Sequence, residues 1–471
     1  MRVARYVLLP RRGLRWRPGQ RAPIAAEELA SRVEDALSGP GPGAVLVSLP
    51  ARQARALNDG TNDLRVAPLR RYRLALFRPE VTAAPPTADR GVALDVVVVS
   101  ATDGRPLPGA IVTAFTDVAL GLGARARTRP DGRARLPLGS AQVLERLYVH
   151  GAVDHWTFLR RRVPVGRPLQ LVLQPIDHTA PDGLRFRYGT PRTTTGHGVR
   201  VGLVDTGVDA GHAHLVVAGG QNCVTGEDPD DHGSNGHEHG THVAGIVAGR
   251  GRPPGGSRGL APAAELMSYR VFGRGRAEAT NFAIAKAIDT AVGDGCDVVN
   301  LSLGGGPADA VVRAAIEEAQ EAGVIVVAAA GNDGRGPVAF PADLPDVVAV
   351  SALGRTGTYP PSAAGSAERR GPYGRDGADF IAAFSNVGDI DVTAPGVAIV
   401  STVPGGYLDL DGTSMACPAV TGTIARILSG SRRLRSQPRS PERAAAVLAR
   451  LRRRARSLGF PSSLEGDGLA R

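Results

Sequence analysis

A chain of 471 residues with 42% apolar content is longer than one core usually serves, so two or three domains are expected. No apolar run approaches the ~18 uncharged residues of a membrane span, and no membrane partner is expected. The formal charge of +11 and pI near 10.3 would suggest nucleic acid, but the positive charge is almost all arginine spread over every segment, with Lys286 as the lysine. A solvated surface explains that distribution better than a binding stripe, so no nucleic-acid partner is expected.

In chain order, residues 1–82 read as a small α/β unit. Arg5–Leu9 is strand-like, Ala25–Leu37 carries Leu29, Val33 and Leu37 at helical spacing, and Gly43–Ser48 is a second strand. Leu49–Leu57 follows as a short helix, and Leu64–Leu76 returns as one or two strands. Residues 83–90 are a Pro-rich linker. Over residues 91–175 the period changes: Val92–Val99, Ala110–Phe115, Ala134–Leu138, Leu147–Val149, His155–Leu159 and Leu169–Leu173 are short strands separated by turns such as Asp103-Gly104, which indicates an all-β sandwich. Residues 176–471 alternate apolar strands (His197–Val204, Leu266–Val271, Asp297–Leu303, Val324–Ala330) with helices, the signature of a doubly wound parallel sheet. The helix from Ser440-Pro441 extends this domain to the end, which makes Arg452–Arg456 a solvated face.

Four segments of the last domain carry chemistry. Asp411-Gly-Thr-Ser414-Met-Ala-Cys-Pro418 puts a serine in a Gly turn at the mouth of an apolar helix. A serine hydroxyl needs a base within hydrogen-bond reach and a group that orients the base. His239, opening the small-residue segment His239–Gly245, can be the base, and Asp205, at the carboxyl end of a buried strand where such sheets place catalytic groups, can orient it. The histidines near residues 232–242 invite a zinc reading, but Glu238 precedes His239 and does not follow it, so the His-Glu-x-x-His spacing is missing and no metal is expected. Ala328-Ala-Ala-Gly331-Asn332 supplies an amide after a Gly turn which, with the backbone N–H of Ser414, can stabilise an oxyanion.

The order aspartate, histidine, serine, with these flanking residues, resembles the subtilisin-like (subtilase, S8-type) serine endopeptidases. The resemblance implies a subtilisin-like α/β fold, an acyl-enzyme on Ser414, no cofactor, and protein or peptide substrates. It also implies that Ser302, Leu303 and Gly304 form the edge that pairs with substrate backbone, and that Ala329, Ala330 and Ala339 shape a roomy first pocket suited to large apolar residues. Residues 1–82 resemble an inhibitory prodomain acting within the chain, and residues 91–175 a carboxypeptidase-regulatory-like sandwich serving as spacer or binding platform. Two departures stand out: His214 and the loop Arg250–Arg258 lack the oxygen ligands of the family's calcium site, and Pro418-Ala-Val-Thr-Gly422 replaces Pro-His-Val-Ala-Gly. Rival readings are a peptide ligase or cyclase on the same fold, and an inactive scaffold whose sandwich binds a partner.

Cys223, Cys296 and Cys417 form neither a paired framework nor a metal spacing and read as reduced structural thiols, although Cys417, three residues past Ser414, is expected to sensitise the enzyme to bulky thiol reagents. Arg11, Arg12 and Arg15 follow at once on the short apolar run near the N-terminus, which does not read as a secretory leader; a cytoplasmic location is expected.

Overall fold

The computed structural model describes residues 3–16, 31–38, 43–59, 63–85 and 91–471. The eight-stranded sheet of the last domain positions everything else. Its path runs Val217–Asn222, Glu265–Arg270, Arg200–Asp205, Val298–Leu301, Ile325–Ala329, Val348–Arg355 and Asp379–Ile381, with Val392–Pro395 also paired to Val348–Arg355. All pairings are parallel except that of Asp379–Ile381. Because side chains alternate along a strand, one run of apolar residues feeds two cores. Val201, Leu203, Val298 and Val327 face the core under the helices His239–Ala248 and Thr413–Ser429. Val204, Val299, Leu301 and Val326 face the core under Asn281–Gly293 and Ala310–Glu321.

The helix His239–Ala248 is buried along its whole length, which only small side chains permit. A Cβ on Gly245 would collide with the hydroxyl oxygens of Thr402 and Ser401 and stand 2.9 Å from the Thr402 backbone nitrogen. The hydroxyls can turn away, but the backbone cannot. Gly245→Ala is therefore expected to lower the unfolding midpoint, its overpacking cost of about 1–3 kcal/mol exceeding the roughly 1 kcal/mol that alanine gains over glycine in a helix. A midpoint equal to or above that of wild type would contradict this packing.

The N-terminal residues form a four-stranded antiparallel sheet in the order Val33–Ala36, Val45–Pro50, Val3–Pro10, Leu64–Pro68. One face carries Leu8, Val45, Val47 and Leu49 against Ala54 of the helix Ala51–Asp59. The other carries Val7, Leu9 and Leu46 into the core over the helices 281–293 and 310–321. The expected helix over Ala25–Leu37 is corrected at its end: residues 33–36 are a strand, and residues 25–30 lie outside the described residues. Pairing with Val45–Pro50 and the ion pair of Asp35 with Lys286 at 2.9 Å override the local helical spacing.

Residues 93–173 build two sheets, a four-stranded one (Phe158–Pro164, Val143–His150, Ile111–Asp117, Leu122–Arg127) and a three-stranded one (Leu169–Leu173, Ala93–Ser100, Arg133–Pro137), which share a core of Leu94, Val98, Val112, Leu147 and Leu171 among others. The strand Leu122–Arg127 is not among those expected, since Leu-Gly-Ala-Arg-Ala-Arg has little β-propensity. Pairing with Ile111–Asp117 forms it, helped by Gly123, where a Cβ would collide with the carbonyl of Ala114. Thr157 docks this unit on the last domain, donating its N–H and hydroxyl to Asp409 at 2.7 and 2.5 Å. No described helix is long and apolar enough to cross a membrane.

Candidate active site

Ser414 lies in the first turn of the helix Thr413–Ser429. Pro418, inside that helix, has no N–H to offer the carbonyl four residues back. That carbonyl belongs to Ser414, and the Ser302 hydroxyl donates to it at 2.9 Å. Asn300 orients Ser302 in turn, donating from Nδ2 to its Oγ at 2.9 Å. The Ser414 Oγ donates to the Ser302 carbonyl at 2.9 Å. Asn300 is a residue the sequence reading missed; a polar side chain in the apolar run Val298–Leu301 was the available signal.

Asp205 and His239 meet as the sequence suggested they could. His239 Nδ1 lies 2.8 Å from Asp205 Oδ1, and both side chains are buried. The same carboxylate oxygen accepts from the N–H of Thr206 at 2.7 Å, so the carboxylate is held from both sides. The helix reaches this aspartate because Gly240 donates its N–H to the Thr206 hydroxyl at 2.9 Å. His239 Nε2 is buried and has no hydrogen-bond partner. His242, one turn on, is structural: its Nε2 lies 2.8 Å from the Ile399 carbonyl and 3.1 Å from that of Leu408, and burial pushes its pKa down to about 3.

Asn332 is fixed by its own carbonyl. Its Oδ1 accepts from the N–H and hydroxyl of Thr413 at 3.0 and 2.9 Å, which turns Nδ2 toward the cleft. There Nδ2 donates to the carbonyl of Ala75 at 2.5 Å, and the N–H of Ser414 donates to the same oxygen at 3.1 Å. Gly412 allows this approach: with φ at +153°, it would carry a Cβ 2.7 Å from that oxygen were it any other residue.

Ala75 belongs to a segment of the chain laid through the cleft. Arg71–Leu74 is the central strand of a three-stranded antiparallel sheet, between Glu278–Thr280 and Leu303–Gly304. The expected edge Ser302, Leu303, Gly304 thus pairs with the chain itself, and Ala75 donates its N–H to Ser302 at 3.1 Å. Tyr72 is buried near Phe340, the ring centroids 5.9 Å apart. Beyond Ala75, Phe77 donates its N–H to Asp411 at 2.9 Å and stacks on Phe384 at 4.6 Å. Arg78 pairs with Glu238 at 2.9 Å. The cleft spans about 1220 Å³; Gly304, Gly331, Asn332 and Ala339 help to line it, whereas Ala329 and Ala330 are buried behind that lining.

A model of the subtilase family matches residues 196–462, more than half of the chain and all of the site just described except the segment through the cleft. The chain belongs to the subtilase family. Among its relatives, subtilisin DY of Bacillus licheniformis is 38% identical over 240 residues, covering 50% of this chain and 78% of its own. The thermostable alkaline protease of Halalkalibacterium halodurans is 34% identical over 299 residues, 62% of this chain and 73% of its own. Subtilisin Savinase of Lederbergia lenta is 37% identical over 238 residues, 50% and 78%. This subtilase is accordingly a serine endopeptidase with the α/β subtilisin fold in its last domain.

One further expectation for this subtilase is changed by the structure. Cys417 is fully buried, its thiol 3.2 Å from Asn300 Oδ1 and 3.4 Å from the Val327 carbonyl, and burial raises its pKa far above the usual thiol range. The expected sensitivity to bulky thiol reagents is therefore corrected, since the sulfur is neither reachable nor ionised. Where His214 and the loop 250–258 come together, His214 Nδ1 lies 2.6 Å from the Tyr407 hydroxyl. Among the described residues, no group of three His, Cys, Asp or Glu side chains is placed to hold a metal ion.

Proposed function

We propose that this subtilase hydrolyses peptide bonds through an acyl-enzyme on Ser414, and that its first substrate is its own Ala75–Leu76 bond. Ser414 Oγ attacks the peptide carbonyl carbon as His239 Nε2 takes its proton. Asp205 holds the tautomer with the proton on Nδ1 and stabilises the imidazolium. The oxygen becomes an oxyanion held by Asn332 Nδ2 and the Ser414 N–H, at the positive end of a helix. Collapse of that intermediate breaks the C–N bond, with the His239 proton going to the leaving amine; water then attacks the ester by the reverse path, again with His239 as base.

One observation carries this reading: a backbone carbonyl, that of Ala75, already accepts from both Asn332 and Ser414 in a segment that is a strand before it, Arg71–Leu74, and is bridged to Asp411 through Phe77 after it. The contact of His239 Nδ1 with Asp205 supports it, since a ring held at Nδ1 presents Nε2 as the base.

Residues 1–82 act as an inhibitory prodomain, of which 1–75 leave on cleavage and 76–82 stay on the enzyme. Their sheet covers the helices 281–293 and 310–321 and their last strand fills the cleft. Residues 83–90 are a linker, residues 91–175 a sandwich kept on the processed enzyme, and residues 176–471 the catalytic domain, whose substrates are proteins or peptides.

A fluorophosphonate probe tests the chemistry. Wild type cut after Ala75 is expected to gain the mass of a single adduct, on Ser414, and Ser414→Ala none. Wild type that gains no adduct, cut or uncut, would overturn the proposal.

A further inference from the structure

Glu238 stands immediately before His239, at the N-cap position of the helix His239–Ala248, yet its carboxylate makes no capping hydrogen bond. An acidic side chain there would ordinarily be spent on the free N–H groups of the first turn. Here it turns into the cleft, where its Oε1 lies 2.9 Å from Arg78 and its Oε2 lies 3.6 Å from His237 Nδ1. Arg78 and Glu238 are each largely buried, at 16% and 23% side-chain exposure, so water screens the pair less than a surface one. Burial pushes the Glu238 carboxyl up, but Arg78 and then His237 outweigh it and hold it at about 2.

The register of the segment is fixed on both sides of this contact. Ala75 is pinned by Asn332 and Ser414, and Phe77 by Asp411 and the ring of Phe384. Arg78 is therefore always the third residue beyond the bond to be cut. We propose that Glu238 is a specificity-determining residue that selects a guanidinium three residues beyond the scissile bond, in substrates as in the chain's own Arg78. A guanidinium suits it better than an ammonium, because a planar fork can meet a carboxylate with directed N–H bonds. The inference rests on the proposed attack at Ala75 and names what that site prefers.

The test is the first-order rate at which the full-length chain releases its fragment 1–75, followed by intact mass, in wild type, Arg78→Gln, Arg78→Glu, Glu238→Arg and the double variant Arg78→Glu/Glu238→Arg. Arg78→Gln leaves every group of the catalytic domain in place. It is expected to slow cleavage about tenfold, the worth of one charge-assisted hydrogen bond. Arg78→Glu and Glu238→Arg are expected to slow it at least as much. The double variant is expected to recover to within about threefold of wild type, because opposite charges again face each other. Arg78→Gln at the wild-type rate, or a double variant as slow as the two singles multiplied, would overturn the role of Glu238 while leaving Ser414 chemistry intact. A wild type that never cuts at Ala75 would instead remove the reading beneath it.

Discussion

Ser414→Ala is expected to lower the turnover of peptide substrates by about 10⁶-fold, the loss known for the equivalent serine of subtilisin itself. The neighbourhood offers no substitute nucleophile. Cys417, three residues on, is buried against Asn300 and Val327 with its thiol held protonated, and Thr413 spends its hydroxyl on Asn332. What survives in the variant is the pair of donors, since an alanine keeps the backbone N–H that meets the Ala75 carbonyl. A residual acceleration over water of about 10³–10⁴ is therefore expected, with peptide binding preserved. The check is kcat/KM on one quenched peptide for both proteins. A variant within a hundredfold of wild type would mean that another group performs the attack.

Asp205→Asn is expected to cost about 10⁴ in kcat, the value that a serine protease of unrelated fold shows for the same exchange. The carboxylate is shielded from bulk solvent: it is 1% exposed, and one of its oxygens meets both the Thr206 N–H and His239. An asparagine that keeps its oxygen on the Thr206 N–H still orients the ring but brings no charge to the imidazolium; one that flips its amide donates to Nδ1 and fixes the wrong tautomer. Both outcomes lower kcat and leave KM near its wild-type value, because Asp205 touches no part of the segment in the cleft. A change confined to KM would contradict the role assigned to it.

The residues of the proposed chemistry were more legible in the sequence than the architecture around them, for a physical reason. A nucleophile, base, orienting acid and oxyanion donor must be particular residue types beside glycines that let backbones approach, so Asp205, His239, Asn332 and Ser414, proposed for those roles, each left a local pattern. The continuous apolar strands of the parallel sheet were equally plain. Val217–Asn222 was not, with two glycines and no alternation; it is a strand because Glu265–Arg270 offers it a partner. Val33–Ala36 carried a helical spacing that pairing overrode.

Contacts made across the fold had no local signature at all. Leu64–Leu76 could be read as strands, but nothing in those residues said that Arg71–Leu74 pairs with Leu303–Gly304, some 230 positions away, or that the Ala75 carbonyl accepts from Asn332 and Ser414. Phe77 and Arg78 were assigned no role, and the small residues Ala329 and Ala330 suggested a pocket although they are packed behind it. Pro418 is an instructive middle case: a proline inside a helix was visible, whereas the use of the freed Ser414 carbonyl by Ser302 was a tertiary fact.

Attack of Ser414 on the carbonyl of Ala75 can be read directly from the intact masses of purified wild type and Ser414→Ala. Wild type is expected to give two fragments, one ending at Ala75 and one beginning at Leu76, and Ser414→Ala an uncut chain. A wild-type cut at another bond, or the same cut at Ala75 in Ser414→Ala, would contradict it.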